Sequence, residues 1–385
     1  METASVIQQR NSMNISHLKR YGALYAKNSL GKRTSRKIVA FSVDDYGVQR
    51  TASIEARTAM ERTGMDLHTN RFDWYDSLET EADLTALWET LDSVRDCNGA
   101  PAIFTAFACP ANMDYDMLVD SGGTQYGIIL LPDLYRKTES GNAMELWRQG
   151  IASKLVNVQY HGREHVNLRT LRKLLQDNDA QVWCNIKNGS WAGISRRISE
   201  HISYVSAYQF DSKDELPELI AIAQNGLDVF ENVWGYRAVH FTAPGAREHI
   251  SLDMALSEGG IKYVDTDVLY REHQGDGLYK RRFNIPFGRN SMGQYYVVRN
   301  CVYEPMLPCS GNWADYLLFQ IQAAINCGKP ANISTHRVNF SGRLSAENRD
   351  KHLAELKQIL GRIKKRWPDI EFMSTSQMME TMINL

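Results

Sequence analysis

The sequence predicts an α/β fold in which parallel strands alternate with crossover helices. From residue 37 onward, short β-rich runs alternate with amphipathic helical patterns, which is typical of parallel sheets with right-handed connections. A closed or nearly closed barrel is the natural packing for the seven β-rich runs found: Ile38–Val43, Ala102–Ala108, Leu155–Tyr160, Ala238–Ala243, Tyr295–Val302, Ile333–Thr335 and Ile370–Met373. An open doubly wound sheet is the competing architecture, but no G-x-G-x-x-G sequence follows the first run.

Helices are predicted between the β-rich runs. Leucines and isoleucines at spacings of three and four indicate helices around residues 84–91, 168–175, 317–325 and 353–363. Ser374 and Gln377 have the spacing of a capping box for a short final helix.

Composition is that of an ordinary soluble globular protein. Of the 385 residues, 43% are hydrophobic and 23% charged, which excludes collagen-like, disordered and coiled-coil classes. No run reaches the ~18 apolar residues of a membrane helix, and the first residues lack the apolar core of a signal peptide. We therefore expect a cytoplasmic protein, with an extension at residues 1–36 and a single barrel domain at residues 37–385.

Charge is distributed unevenly along the chain. The net charge of -1 gives no reason to expect nucleic acid as a partner. Residues 1–37 nevertheless hold eight basic residues against one acidic residue. A solvated terminus explains this pattern most simply, while peripheral contact with an anionic membrane surface or a phosphorylated carrier is the alternative.

Two adjacent carboxylates, Asp44 and Asp45, follow the first β-rich run directly. Chemistry in parallel barrels is carried out where strands end and loops begin. Neighbouring side chains of an extended chain point to opposite sides, so we expect the two carboxylates to have different roles. One can bind a metal while the other acts as a base; a pair that serves only solubility is the simpler interpretation.

Histidines follow two other runs. His161 and His165 lie at positions i and i+4 after the third run, a spacing that would bring both to one metal if the turn is helical. His336 ends a later run. Asp45, His161 and His165 would supply one carboxylate and two imidazoles to a catalytic divalent metal, with Asp44 and His336 as base and acid beside it.

Four segments together resemble the NodB-type polysaccharide deacetylases, broadly carbohydrate esterase family 4. Ser42-Val-Asp44-Asp45 is similar to that family's T-F-D-D motif, and His161-Gly-Arg-Glu-His165 to its H-[ST]-x-x-H motif. Ile333-Ser-Thr-His336 is similar to the late L-x-H motif, and Phe241-Thr-Ala-Pro244-Gly245 takes the place of the R-x-P-x-G motif. Some of these segments further resemble a bacterial polysaccharide (de)acetylase subgroup.

The resemblance implies a distorted (β/α)7 barrel of the NodB-homology type and a metal-dependent hydrolase. Its substrate would be an N- or O-acetylated polysaccharide or a sugar precursor. Asp45, His161 and His165 would be the metal ligands, Asp44 the general base and His336 the general acid. Zinc is the default ion for this ligand set, although nickel, cobalt and manganese accept similar ligands. The resemblance leaves the substrate-binding residues and the oligomeric state open.

One departure from the family's pattern concerns the base. The family's arginine before proline, which tunes the base, is replaced here by Thr242. Arg299 or Arg337 could take over that role.

Two other functions compete with the deacetylase interpretation. His161-x-x-Glu164-His165 matches a metallopeptidase pattern in which the glutamate is the base. That pattern belongs within a helix, whereas here it follows a β-rich run and contains Gly162. A non-catalytic glycan-binding barrel with a residual metal site is the other alternative.

Overall fold

The first strand, β1 (Lys37–Tyr46), is buried along nearly its whole length in this computed structural model, which describes residues 22–194, 203–309 and 311–385. Its apolar run lies between parallel neighbours, as expected for a strand covered on both faces. The other strands are β2 (Phe104–Ala108), β3 (Ala111–Met113), β4 (Ile128–Leu130), β5 (Val156–Tyr160), β6 (His240–Phe241), β7 (Tyr263–Asp265), β8 (Leu269–His273), β9 (Tyr279–Phe283), β10 (Tyr295–Val297), β11 (Cys301–Val302), β12 (Ala331–His336) and β13 (Ile370–Phe372).

The main sheet is parallel and closes on itself through one irregular stretch of chain. Its order is β10-β7-β6-β5-β2-β1-β12-β11, and β13 pairs with the first residues of β1. The two ends of this order, β10 and β11, are consecutive in the chain and are separated only by residues 298–300. The stretch 295–302 therefore completes a ring of seven strand positions, and the predicted distorted barrel is confirmed.

Helices surround the sheet, and those predicted from apolar spacing are confirmed. They are α1 (Ile54–Arg62), α2 (Arg71–Tyr75), α3 (Glu81–Asp92), α4 (Tyr115–Asp120), α5 (Leu131–Lys137), α6 (Ala143–Ala152), α7 (Leu168–Gln176), α8 (Ala180–Lys187), α9 (Leu216–Trp234), α10 (Leu252–Glu258), α11 (Trp313–Asn326), α12 (Ala346–Arg366) and α13 (Thr375–Ile383). Ser374 and Gln377 form the predicted capping box of α13. No helix within the described residues is both long enough and apolar enough to span a membrane.

The barrel has seven strand positions, as predicted, but one of the seven predicted runs does not occupy any of them. The run around residue 370 forms β13, which pairs with β1 outside the ring, while the barrel position beside β6 belongs to β7, which the sequence did not indicate. The antiparallel pairs β3–β4 and β8–β9 were also missed. β7 has only three residues, too few for a periodic pattern to stand out.

The described part of the basic extension, residues 22–36, packs against the barrel. Lys27 Nζ donates to the Arg299 carbonyl at 2.6 Å, and Asn300 donates to the Asn28 side chain at 2.7 Å. Lys329 Nζ donates to the carbonyl of Lys32 at 2.6 Å. This segment therefore lies along the stretch between β10 and β11. The rest of the predicted extension, residues 1–21, is outside the described residues.

Candidate active site

One cavity at the carboxyl ends of the barrel strands contains every site residue predicted from the sequence. Its volume is about 570 Å³, and its wall includes Asp44, Asp45, His161, His165 and His336. Asp44 and His336 are register partners on the neighbouring strands β1 and β12. The site is therefore located where a parallel barrel places its chemistry.

Asp45, His161 and His165 form a buried cluster. Asp45 Oδ1 lies 3.3 Å from His161 Nε2 and 3.1 Å from His165 Nε2. One potential ligand atom from each residue falls within 4.8 Å of the other two. Asp45 has a φ of 75°, and the pairing of β1 with β2 shifts register there. This irregularity lets both adjacent carboxylates reach the cavity.

The protonation states of the cluster fit a divalent metal. The Nδ1 atom of His161 lies 2.8 Å from the Thr242 carbonyl, a contact that fixes the orientation of the ring and points Nε2 at Asp45. Burial lowers the pKa of His165, which favours the neutral imidazole that metals require. Burial works to raise the pKa of Asp45, but hydrogen bonds to both histidines outweigh it and hold that pKa well below its usual range. The residues present therefore fit such an ion.

The segment between the two histidines is not helical, contrary to the helical turn considered from the sequence. Residues 163–166 form bends, and the following helix starts only at Leu168. Gly162 has a φ of 89°, and a Cβ there would lie 2.9 Å from Pro244 Cγ, so glycine is required. Glu164 is buried against Arg163 at 2.6 Å and is not part of the cavity wall. This geometry does not support the peptidase pattern, which needs a helix and a glutamate facing the metal.

Asp44 is held by Arg299 rather than by Arg337. Arg299 donates to both oxygens of Asp44, at 2.6 and 2.8 Å, and to Asp265 Oδ2 at 2.6 Å. Burial works to raise the pKa of Asp265, but the Arg299 guanidinium outweighs it and lowers that pKa. Arg299 also donates to Thr242 Oγ1 at 2.9 Å, so it contacts the residue that replaces the arginine of the R-x-P-x-G motif.

The other candidate, Arg337, is located elsewhere. Its guanidinium is buried between Asp76 at 2.8 Å and Glu79 at 2.7 Å. It is not among the residues of the cavity wall.

His336 is held in its protonated form by Glu304. The Nδ1 atom of His336 lies 2.5 Å from Glu304 Oε1, and its Nε2 atom lies 3.9 Å from Asp44 Oδ2. Burial works to lower the pKa of His336, but the Glu304 carboxylate raises it to about 9. Glu304 is itself fixed by Arg71 at 2.6 Å and by Asn339 at 3.0 Å.

Sequence reasoning missed Asp265 and Glu304. Asp265 is the last residue of β7, and Glu304 follows the end of β11 by two residues. Both obey the rule that found the other site residues, a polar side chain at the carboxyl end of a strand. Asp265 was missed because its strand is too short to show a pattern, and Glu304 because it lies two residues beyond the end of its run rather than directly after it.

The fold and the cavity define a distorted β/α barrel with a carboxylate–imidazole cluster suited to a divalent metal. No family model and no curated protein sequence matches this chain. Similar solved structures include a probable polysaccharide deacetylase from Pseudomonas aeruginosa PAO1, at 11% identity over 90% of this chain and 91% of that chain, with a TM-score of 0.47. Another is the peptidoglycan deacetylase PdaC from Bacillus subtilis, at 12% identity over 90% and 91% of the two chains, with a TM-score of 0.33.

An allantoinase structure is similar to the same extent, at 12% identity over 90% of both chains and a TM-score of 0.45. At these identities and TM-scores the likeness is distant. The assignment of chemistry therefore depends on the side chains of this chain.

Proposed function

We propose that this protein is a metal-dependent deacetylase that removes acetyl groups from a carbohydrate. The observation that carries the proposal is the convergence of Asp45, His161 and His165 at 4.8 Å or less, with Asp44 and His336 in the same cavity. The resemblance of the surrounding segments to the NodB motifs supports the same chemistry. Asp45, His161 and His165 would hold the ion, zinc being the default for this ligand set.

A divalent ion in this site would polarise the acetyl carbonyl and lower the pKa of water. The remaining steps fall to the protein. Asp44 accepts a proton from the water that adds to the carbonyl carbon, and Arg299 orients this carboxylate. His336 donates a proton to the sugar nitrogen or oxygen as its bond to the acetyl carbon breaks. The products are acetate and the free amine or hydroxyl.

His336 is suited to the role of acid because its raised pKa keeps it protonated at neutral pH. Asp44 and His336 lie on adjacent strands in register, so they face a bound acetyl group from fixed positions. The cavity volume of about 570 Å³ falls within the range of small-molecule sites and admits a sugar unit.

Acetate release from acetylated glycans tests the proposal. The purified protein would be loaded in turn with zinc, cobalt, nickel or manganese and given N-acetylchitopentaose or acetylated xylan. We expect release from at least one substrate, and its near-complete loss in Asp44→Asn and His336→Ala with bound metal retained. Asp276→Asn, at the exposed tip of the β8–β9 hairpin, is the control for Asp44→Asn. No release under any condition would favour the non-catalytic barrel, and equal release by Asp44→Asn would refute the assigned base.

A further inference from the structure

The antiparallel hairpin β8–β9 has one face that packs against the barrel. Tyr270 and Glu272 lie on this inner face and are buried. Tyr270 donates through its hydroxyl to the Glu248 carbonyl at 2.8 Å, and Glu272 accepts from Arg282 at 2.6 Å and from the Ile250 backbone at 3.2 Å. These contacts fix the orientation of the hairpin, and Tyr270 also belongs to the wall of the cavity.

The opposite face of the hairpin exposes two apolar and two basic side chains. Leu269 pairs with Phe283 across the strands, and Arg271 pairs with Arg281. Leu269 is 71% exposed and Phe283 is 58% exposed, while both arginines are also exposed. Ile285, just beyond β9, is 49% exposed. Clustered exposed apolar side chains of this kind mark interaction surfaces.

The arginine pair is unfavourable in the isolated protein. Like charges directly opposite each other on neighbouring strands repel. Among the described ranges 22–194, 203–309 and 311–385, neither Arg271 nor Arg281 has an acidic partner; Arg271 only stacks on Tyr279, at 4.6 Å. Residues 269–289 contain five basic and two acidic residues, and the acidic Glu272 already pairs with Arg282. A negatively charged surface would remove this repulsion.

We propose that the outer face of the β8–β9 hairpin docks on an anionic membrane surface. The apolar side chains enter the interfacial region of the bilayer; these are Leu269, Phe283 and Ile285. The guanidinium groups of Arg271 and Arg281 bind lipid phosphates, whose geometry suits two parallel hydrogen bonds from one arginine. The combination of apolar and basic side chains on one face favours a lipid surface over a soluble polyanion, which would leave the apolar groups in water.

Other occupants of this face fit its charge poorly. The segments of the chain outside the described residues that could fold over it, 1–21 and 195–202, are themselves basic, with three basic residues against one acidic and two against one. A second copy bound through a two-fold axis would place the arginine pair against its own equivalent.

Docking of this kind would bring the cavity close to the membrane. The inner face of the hairpin contributes Tyr270 to the cavity wall, and Thr266 and Asp267, just before β8, also line it. A substrate held at the membrane, such as a lipid-linked acetylated glycan, could then reach the cavity. This consequence rests on the proposed function, whereas the docking surface does not.

Vesicle co-sedimentation of the full chain tests the docking surface without any assay of activity. The vesicles would be phosphatidylcholine alone or with 30% phosphatidylglycerol. We expect binding to the anionic vesicles only, weakened by salt. Arg271→Glu/Arg281→Glu should weaken it by about 30-fold or more, from roughly fivefold per basic residue. Leu269→Ser/Phe283→Ser should also weaken it, with unchanged thermal midpoints because these side chains are exposed.

The matched control is Lys173→Glu/Lys357→Glu, which makes the same charge change at exposed helix positions and should bind like the wild type. Three results would overturn the proposal. They are no binding to anionic vesicles, unchanged binding in either hairpin variant, or a wild-type dimer that the hairpin variants convert to monomer. Binding that persists in the hairpin variants and disappears on deletion of residues 1–20 would assign the membrane contact to the N-terminus instead.

Discussion

Arg299 and Asp44 form a two-pronged ion pair inside the candidate active site. Both carboxylate oxygens of Asp44 accept from the Arg299 guanidinium, at 2.6 and 2.8 Å, and the far side of that guanidinium is neutralised by Asp265. The arginine comes from the irregular stretch between β10 and β11 that closes the barrel. The stretch of chain that closes the barrel thus supplies the group that orients the proposed base.

Replacing Arg299 should impair both activity and stability. Arg299→Lys keeps the positive charge but loses the planar guanidinium that binds both carboxylate oxygens of Asp44. We therefore expect kcat for acetate release to fall by about 100-fold, as when a residue that orients catalytic groups is lost. Arg299→Gln removes the positive charge that two buried carboxylates share, and we expect the free energy of unfolding to fall by about 3 kcal/mol. Steady-state kinetics and urea denaturation measure the two effects.

Arg282→Lys is the control for this experiment, because Arg282 forms a similar pair with Glu272 outside the cavity wall. It should leave kcat unchanged. A wild-type kcat in Arg299→Lys would show that the paired hydrogen bonds from the guanidinium have no role in positioning Asp44.

Glu304→Gln should move the alkaline limit of activity. The protonated form of His336 is the proposed acid, and the Glu304 carboxylate raises the pKa of His336 to about 9. Without that carboxylate the pKa of His336 falls, so activity is lost at lower pH. We expect the alkaline limb of the kcat/KM profile to shift down by about 1 pH unit or more. The control is Asp267→Asn, in the cavity wall, which should leave the alkaline limb in place. An unshifted alkaline limb in Glu304→Gln would mean that this limb does not report the ionisation of His336.

Glu248→Gln should stabilise the protein at high pH. Burial raises the pKa of Glu248 to about 7, and its Oε2 atom has no hydrogen-bond partner in the described part of the chain. The folded pKa lies above the unfolded value of about 4.3, so the stability contributed by this group is present below pH ~4.3 and is lost as the pH rises to 7. Glutamine mimics the protonated form. Its advantage in unfolding free energy should grow by about 2 kcal/mol between pH 5 and pH 8.

Thermal or urea unfolding at several pH values measures this difference, with Glu258→Gln on the exposed surface of α10 as control. A constant difference between Glu248→Gln and the wild type across that range would mean that Glu248 ionises normally.

The sequence was informative where a long apolar run ended in polar residues. Asp44, Asp45, His161 and His336 were all found in this way, and all line the cavity. It was uninformative where strands were short, as for β7 and its terminal Asp265. The pairing of Arg299 with Asp44 joins residues 255 positions apart, and local pattern cannot reveal such a contact.

Local conformation was also out of reach from the sequence. The left-handed backbone of Asp45 and the non-helical loop between His161 and His165 depend on packing around the cavity. The i, i+4 spacing suggested a helical turn, whereas a non-helical loop brings both histidines to Asp45.

Metal content per chain is the most direct test of the proposed centre. Elemental analysis would compare the metal-loaded wild type with Asp45→Ala, His161→Ala and His165→Ala, with His68→Ala, exposed outside the cavity, as control. We predict about one divalent ion per chain in the wild type and the control, and loss of the ion in all three variants. An ion retained without Asp45 but lost without His161, or no ion in the wild type after loading, would contradict the three-residue site and the deacetylase chemistry proposed for it.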